Sequence, residues 1–404
     1  MSSSLLGLLS VFGAATLAPI ITALVGRAVR VPLVVVEILL GLAIGPALLG
    51  WVQPGGLTSV LSTLGVAMLF FLSGYEIDFD RIGGAALGRA GLGWIISLIA
   101  GVVAGLVLAT FLPAHGTSSI TTGLFIGICL TSTALGTIMP TLRDAGETKT
   151  PFGRAVIAAG AAGQFGPLLA LAIFLGGRHP LYSFLALLVF GGVIVLGVWI
   201  ASRGVPPRLR RLVEVTLHTS GQFAVRLVLL VLIATTAVSI ALGLDMLLGA
   251  FAAGILARLL LSSTPDAQRV VIEHKLEGIG YGVFIPIFFV QTGVTFDLLG
   301  LLAQPAALLM IPLVVLLFFV IRGVPGSLTL PRPATRSDRI SATLLTGTAL
   351  AVVVAVAHEG VAAGALSSTM AAALIGAGMC SVLLFPTLAL SLRNRQRLRD
   401  ENVS

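Results

Sequence analysis

Charge is scarce in this sequence. Asp, Glu, Lys and Arg together make up 10% of its 404 residues, where soluble domains carry roughly 25%. Water is therefore not the solvent for which most of the chain is built. Cysteine is nearly absent: Cys129 and Cys380 both fall in apolar stretches, which argues against a disulfide framework and against a cysteine metal cluster. Aromatic residues make up 6%, and no aromatic or glycine-rich RNA-binding pattern accompanies the net charge of +8. A nucleotide-binding loop, a nucleophile triad and a Cys/His cluster are missing too. No enzymatic activity, cofactor or nucleic-acid partner is expected. The opening residues Met1 to Leu6 lack a basic region and a cleavage site, so they read as the start of a first span and not as a signal peptide.

What the sequence does have is apolar length. Hydrophobic residues make up 57% and the mean hydropathy is +1.09. Its 48 glycines suit helices that touch closely in lipid. A helix needs about 20 apolar residues to cross the hydrocarbon. Hydropathy predicts thirteen spans near 5–25, 32–50, 57–75, 90–112, 119–142, 152–175, 182–202, 222–242, 245–262, 276–298, 303–322, 340–358 and 364–392. The expected fold class is an all-α polytopic membrane protein forming one transporter domain over residues 1–404, with a short basic cytoplasmic tail at 393–404.

The basic residues test that count. With the N-terminus outside, all but Arg178 and Arg226 of the 24 Lys and Arg fall in inner loops, at inner span ends or in the tail. A wrong count would scramble this alternation, so thirteen spans with an inside C-terminus are expected from the positive-inside rule.

The two halves also resemble each other. Glu37-Ile-Leu-Leu-Gly matches Asp245-Met-Leu-Leu-Gly, Leu69-Phe-Phe-Leu-Ser-Gly74 matches Phe288-Phe-Val-Gln-Thr-Gly293, and Leu130-Thr-Ser-Thr-Ala-Leu135 matches Leu345-Thr-Gly-Thr-Ala-Leu350. The three matches keep one order and nearly one offset. They predict a first repeat over about 5–175, a linker span over about 182–202 and a second repeat over about 222–392. Six spans per repeat and one linking span invert the second repeat, an arrangement that places a substrate site near the midplane where helices break. Spans 5 and 12, which carry the paired Thr motifs, are the expected breaks. Thr131, Ser132, Thr133, Thr346 and Thr348 are the candidate lining. The alternative for each hydroxyl is a bond back to a carbonyl of its own helix.

These stretches resemble the monovalent cation:proton antiporter superfamily, nearest the bacterial sodium/proton antiporters and potassium-efflux proteins. The likeness rests on Glu37 to Pro46, Leu64-Gly65 through Asp78, Thr131-Ser-Thr-Ala134, Leu248 to Gly254 and Pro286 to Val290. It implies crossed, discontinuous helices in spans 5 and 12, a core bundle moving against a dimerisation domain, a homodimer and a bacterial plasma-membrane location. Family members carry an Asp-Asp or Asn-Asp pair in span 6 that binds cation and proton in competition. The matching positions here are Gly163 and Gln164, and no Asp or Glu lies between Glu147 and Glu214. Gln offers a carbonyl oxygen to a cation but cannot titrate. The resemblance places Arg322 where the family has a basic partner of that carboxylate; the other reading of Arg322 is an interfacial side chain reaching the cytoplasm.

Glu37 and Asp245 are repeat mates that could carry a proton or cap helices. Glu76, Asp78, Asp80 and Asp297 stand at span mouths, His358 and Glu359 at the end of span 12, and His218 and His274 in cytoplasmic segments. The leading expectation is exchange of Na⁺ or K⁺ for H⁺, with Thr131, Gln164 and Thr346 touching the transported cation. The alternatives are proton-coupled export of an organic molecule or metal-ion complex, a potassium-efflux protein and a sensor that has lost transport. Efflux relatives usually carry a cytoplasmic nucleotide-binding domain, for which these residues hold no pattern.

Overall fold

The computed structural model describes residues 3–25, 31–77, 84–111, 118–175, 180–202, 216, 222–261 and 264–401. Apolar composition makes most of these residues helical, because a backbone in lipid must satisfy its own hydrogen bonds. In chain order the helices are α1 (Ser3–Val25), α2 (Leu33–Ile44), α3 (Gly56–Tyr75), α4 (Gly84–Thr110), α5 (Ser119–Leu130), α6 (Leu135–Asp144), α7 (Pro151–Leu175) and α8 (Pro180–Ser202). They continue with α9 (Phe223–Ala241), α10 (Met246–Leu261), α11 (Asp266–Ile279), α12 (Ile285–Val294), α13 (Leu298–Ala303) and α14 (Pro305–Leu317). The last three are α15 (Arg336–Gly347), α16 (Ala351–Ala362) and α17 (Ser368–Glu401). Wide π turns at Gly280–Phe284 and Phe318–Gly323 join α11 to α12 and extend α14.

Among the described residues, 11 helical stretches are long and apolar enough to cross a membrane, and Leu33–Ile44 and Met246–Leu261 are two shorter apolar helices. The chain is therefore an all-helical polytopic membrane protein, and each predicted span falls on one of these thirteen stretches. Several boundaries differ by a few residues, and two of the differences have a clear local cause. The tenth helical stretch begins at Asp266 and not near 276, because its first turns are amphipathic, with Arg269, Glu273 and Lys275, and a hydropathy window passes over them. The second ends at Ile44 and not at 50, because Gly45-Pro46 stops a helix.

The chain divides into two compact units. One holds Met1–Phe12, Pro54–Ile77 and Leu171–Gln291; the other holds Gly13–Gln53, Asp78–Ala170 and Thr292–Ser404. In the first unit α3 and α10 meet through glycines. A Cβ on Gly74 would run into the Phe251 carbonyl, and one on Gly254 into the carbonyl of Phe71. In the second unit Gly45 lies against Val294, and a Cβ on Gly293 would strike the carbonyl of Ile38. The sequence matches liken α3 to α12 and α2 to α10, and these contacts join the likened segments in corresponding pairs, α3 with α10 in one unit and α12 with α2 in the other. In α4 and α5, Gly101, Gly105, Gly123 and Gly127 interlock in the same manner. Small residues allow this close backbone contact, the main source of helix association in lipid.

An ionic knot closes one end of the second unit. Arg393 of α17 donates to Glu147 Oε1 from Nε at 3.0 Å and Nη2 at 2.6 Å, and to Asp338 Oδ1 from Nη1 at 2.6 Å. Its guanidinium lies 3.7 Å from the centre of the Phe152 ring. The knot ties the last helix to the starts of α7 and α15.

Candidate ion site

Helical hydrogen bonding stops twice inside the second unit, between Leu130 and Leu135 and between Gly347 and Ala351. Neither gap contains proline. Thr131 and Ser132 donate their hydroxyls to the carbonyls of Ile128 and Cys129 at 2.8 Å each, and Thr348 donates to the Leu344 carbonyl at 3.1 Å. Side chains thus take acceptors that the next turn's N–H groups would use, an alternative that Ser and Thr offer to a helix. For these three hydroxyls the bond back to their own helix is what the geometry realises.

The two gaps bond to each other. Ala134 N donates to the Thr348 carbonyl at 2.7 Å, and the Thr133 hydroxyl donates to the Thr346 carbonyl at 2.7 Å. Thr133 N donates to the Gly163 carbonyl of α7 at 2.8 Å. Thr131, Ser132, Thr133, Thr346 and Thr348 all have 0% exposure. Each gap also has a cap from the last long helix of its half. Gln164 Oε1 on α7 accepts Leu135 N at 3.2 Å, and Ser381 Oγ on α17 accepts Ala349 N at 3.0 Å.

Arg322 lies against this meeting point with 0% exposure. Its Nε donates to Thr133 Oγ1 at 2.7 Å and its Nη2 to the Ala159 carbonyl of α7. Reaching for the cytoplasm is therefore not its role. Gly163 makes the room. A Cβ there would stand 2.6 Å from Arg322 Nε, and nearer still to Nη2 and to Thr133 Oγ1. The absence of a side chain at 163 and the presence of Arg322 are one feature.

The sequence profile of the sodium/hydrogen exchanger transmembrane family matches residues 12–390. The chain belongs to this family. YjbQ of Bacillus subtilis, provisionally named an Na(+)/H(+) antiporter, is 29% identical over 393 residues, which cover 92% of this chain and 60% of that protein. The chain thus spans less than two thirds of that relative's length. The Na(+)/H(+)-K(+) antiporter GerN of Bacillus cereus is 32% identical over 279 residues, 67% of each chain. The solved structure of the sodium proton antiporter MjNhaP1 from Methanocaldococcus jannaschii, at pH 8, shares the fold with a TM-score of 0.69 and 17% identity, covering 96% of this chain.

Within this exchanger fold the remaining predicted residues are scattered. Glu37 is buried at 2% exposure inside α2 and caps no helix end. Asp245 belongs to the first unit and accepts Leu247 N at 2.6 Å, the capping reading. Asp297 caps α13 through Gly300 N at 2.9 Å and accepts the Thr369 hydroxyl at 2.6 Å. His358 Nε2 lies 3.2 Å from Thr295 Oγ1, and Glu76 accepts Tyr281 OH at 3.4 Å. His274 sits in α11. Asp78, Asp80 and His218 lie outside the described residues.

Sequence reasoning missed Ser381 and the Ala159 carbonyl. Ser381 had a signal: it stands 217 residues beyond Gln164, close to the repeat offset. Carrying the repeat into the sixth span of each half would have found it. Ala159 had none, because a backbone carbonyl leaves no trace in residue type.

Proposed function

We propose that this chain exchanges a monovalent cation, Na⁺ or K⁺, for H⁺ across the bacterial plasma membrane by alternating access. The observation that carries the reading is the pair of helix gaps bonded to each other beside a buried Arg322. Such gaps free carbonyls and hydroxyls at membrane depth, and these can replace the water around a small cation. The proposed ligand set is the remaining oxygen lone pairs of Thr131, Thr133, Thr346 and Thr348, whose hydroxyl hydrogens are spent on backbone carbonyls. Gln164 holds the N-terminus of α6 with the oxygen that would otherwise reach the cation, so its role is positioning.

The proposed architecture is thirteen spans in two inverted six-span repeats, with α5–α6 and α15–α16 as crossed discontinuous helices, the N-terminus outside and the C-terminus inside. The corresponding glycine contacts and the paired caps Gln164 and Ser381 support it. A homodimer is proposed on the family resemblance. Glu37 is the proposed proton carrier: it is buried in a span, whereas Glu147 is held by Arg393. One carrier and one cation make the exchange electroneutral, since an arginine does not deprotonate in a protein.

The test is a proteoliposome assay that imposes Na⁺, K⁺ or Li⁺ gradients and follows internal pH. Acidification or alkalinisation driven by one of these ions is expected, and it should be lost in Thr133→Ala. No pH change with any of the three ions would overturn the reading.

A further inference from the structure

Two carboxylates stand in the knot at Arg393, and both are filled from inside the fold. Glu147 Oε1 accepts from Arg393, and its Oε2 accepts the Thr150 hydroxyl at 2.7 Å. Asp338 Oδ1 accepts from Arg393, and its Oδ2 accepts the Thr335 hydroxyl at 2.8 Å and Thr335 N at 3.1 Å. The Glu147 side chain is only 2% exposed, so it offers no counter-charge at the surface.

The same bonds bring three chain segments to one point, because Arg393 of α17 holds Glu147 just before α7 and Asp338 in the first turn of α15. Around that point stand Arg143, Lys149, Arg154, Arg332, Arg336 and Arg339, all exposed. None of them has an ion pair among the described residues. The one other acid in residues 143–154 and 332–339 is Asp144, so this face of the second unit carries a basic excess.

Depth identifies the partner. The apolar stretches here end at Arg143 and Thr329 and begin at Pro151 and Arg336. Arg143 and Arg336 are terminal residues themselves. Arg154 and Arg339 lie three positions inside, about 5 Å along a helix, and Lys149 and Arg332 lie two and three positions outside. The headgroup layer adds roughly 5–7 Å to each side of the hydrocarbon. The basic side chains thus ring the level at which lipid phosphates sit, and the guanidinium fork matches paired phosphate oxygens.

We infer that this face binds anionic phosphodiester headgroups of the membrane, of the phosphatidylglycerol class, and that these anchor the ends of α6 and α15. Both half-helices run between this face and the gaps, α6 from Leu135 to Asp144 and α15 from Arg336 to Gly347. Bound headgroups therefore brace the frame of the candidate ion site from outside it. A zwitterionic headgroup brings its own cation and does not answer the excess. The inference does not rest on the exchange reading.

The test uses the purified full chain in an uncharged detergent at constant ionic strength. It is titrated with phosphatidylglycerol, phosphatidylcholine or inorganic phosphate, with the melting midpoint as readout. Phosphatidylglycerol should raise the midpoint along a saturating curve, and the other two should not. Each Lys or Arg near a lipid surface contributes about fivefold in affinity. Arg332→Gln with Arg336→Gln and Arg339→Gln should therefore need roughly a hundredfold more phosphatidylglycerol for half the rise. Arg332→Lys with Arg336→Lys and Arg339→Lys keeps the charge and should keep most of the affinity. Arg143→Gln with Arg154→Gln, in the other segments, should cost roughly twenty-five-fold, so the inference stays open to refutation if one variant fails to fold. An equal rise with phosphatidylcholine would mean general packing by lipid, and an equal rise with inorganic phosphate would mean a soluble anion; either overturns the inference. So would a phosphatidylglycerol curve unchanged in both glutamine variants. Failure of cation exchange in liposomes would leave these outcomes as they are, so the two proposals fail separately.

Discussion

Gly163→Ala is the smallest change that tests how the site is built. One methyl group would enter a space already held by Arg322 Nε at 2.6 Å and by Nη2 and Thr133 Oγ1 at closer range. All three belong to buried groups, so the guanidinium must leave its place. It then loses its bonds to Thr133 and to the Ala159 carbonyl. Hydrogen bonds to charged groups contribute about 1.5–3 kcal/mol each, which gives roughly 3–6 kcal/mol for the pair. Alanine returns up to about 1 kcal/mol of helix propensity, leaving a net loss of about 2–5 kcal/mol against a total stability of about 5–15 kcal/mol. The assay is thermal unfolding of detergent-solubilised protein, followed by size-exclusion chromatography. Gly191→Ala is the control, because a Cβ there meets nothing within 4 Å; it should melt at or above the wild-type midpoint. The decisive comparison is the double-mutant cycle with Arg322→Ala. In that background most of the Gly163→Ala penalty should disappear, with a remainder from Thr133. A wild-type midpoint for Gly163→Ala, or the same penalty with and without Arg322, would refute the placement of the guanidinium.

The caps give a second prediction: Gln164→Leu should lower stability by about 1 kcal/mol, the usual cost of a lost N-cap, whereas Gln164→Glu keeps the acceptor and should melt near wild type; equal melting of the two would remove Gln164 from the α6 terminus. Ser381→Ala should mirror Gln164→Leu by orphaning Ala349 N, and undiminished stability would break the pairing of the two caps. Electroneutral exchange predicts rates unchanged when valinomycin and K⁺ clamp the potential, since each net charge moved would couple to voltage by ~2.3 kcal/mol per 100 mV; a strong dependence would reveal a second titrating group. Reporter fusions after Ser3 and at Ser404 should give outside and inside signals, and a periplasmic signal at Ser404 would sink both the orientation and the inverted repeat.

The apolar helices were legible because their signal is one-dimensional. A helix in lipid satisfies its own backbone, so span length and loop charge can be read residue by residue, as the agreement at Leu5–Val25 and Pro151–Leu175 illustrates. The Thr-rich stretches at 131–133 and 346–348 could be marked from the sequence, since hydroxyls that compete with helix N–H groups do so locally. Amphipathic turns such as Arg269 to Lys275 could not, because hydropathy averages them away. Arg322 marks the limit. Its sequence context allowed a place at the membrane surface or a place in the core, because both positions suit a long basic chain following an apolar run. Only packing decided between them: Gly163 on α7 opens the space, and Thr133 and the Ala159 carbonyl, 189 and 163 residues distant along the chain, fill it with acceptors. Gln164 was read from the sequence as a cation ligand, and only the structure laid the N-terminus of α6 against its oxygen. The sequence by itself determined which segments enter the membrane, because that depends on each segment's own transfer from water. The tertiary structure alone decided which polar atoms meet there, because those atoms are brought together by close contact between helices remote in the chain.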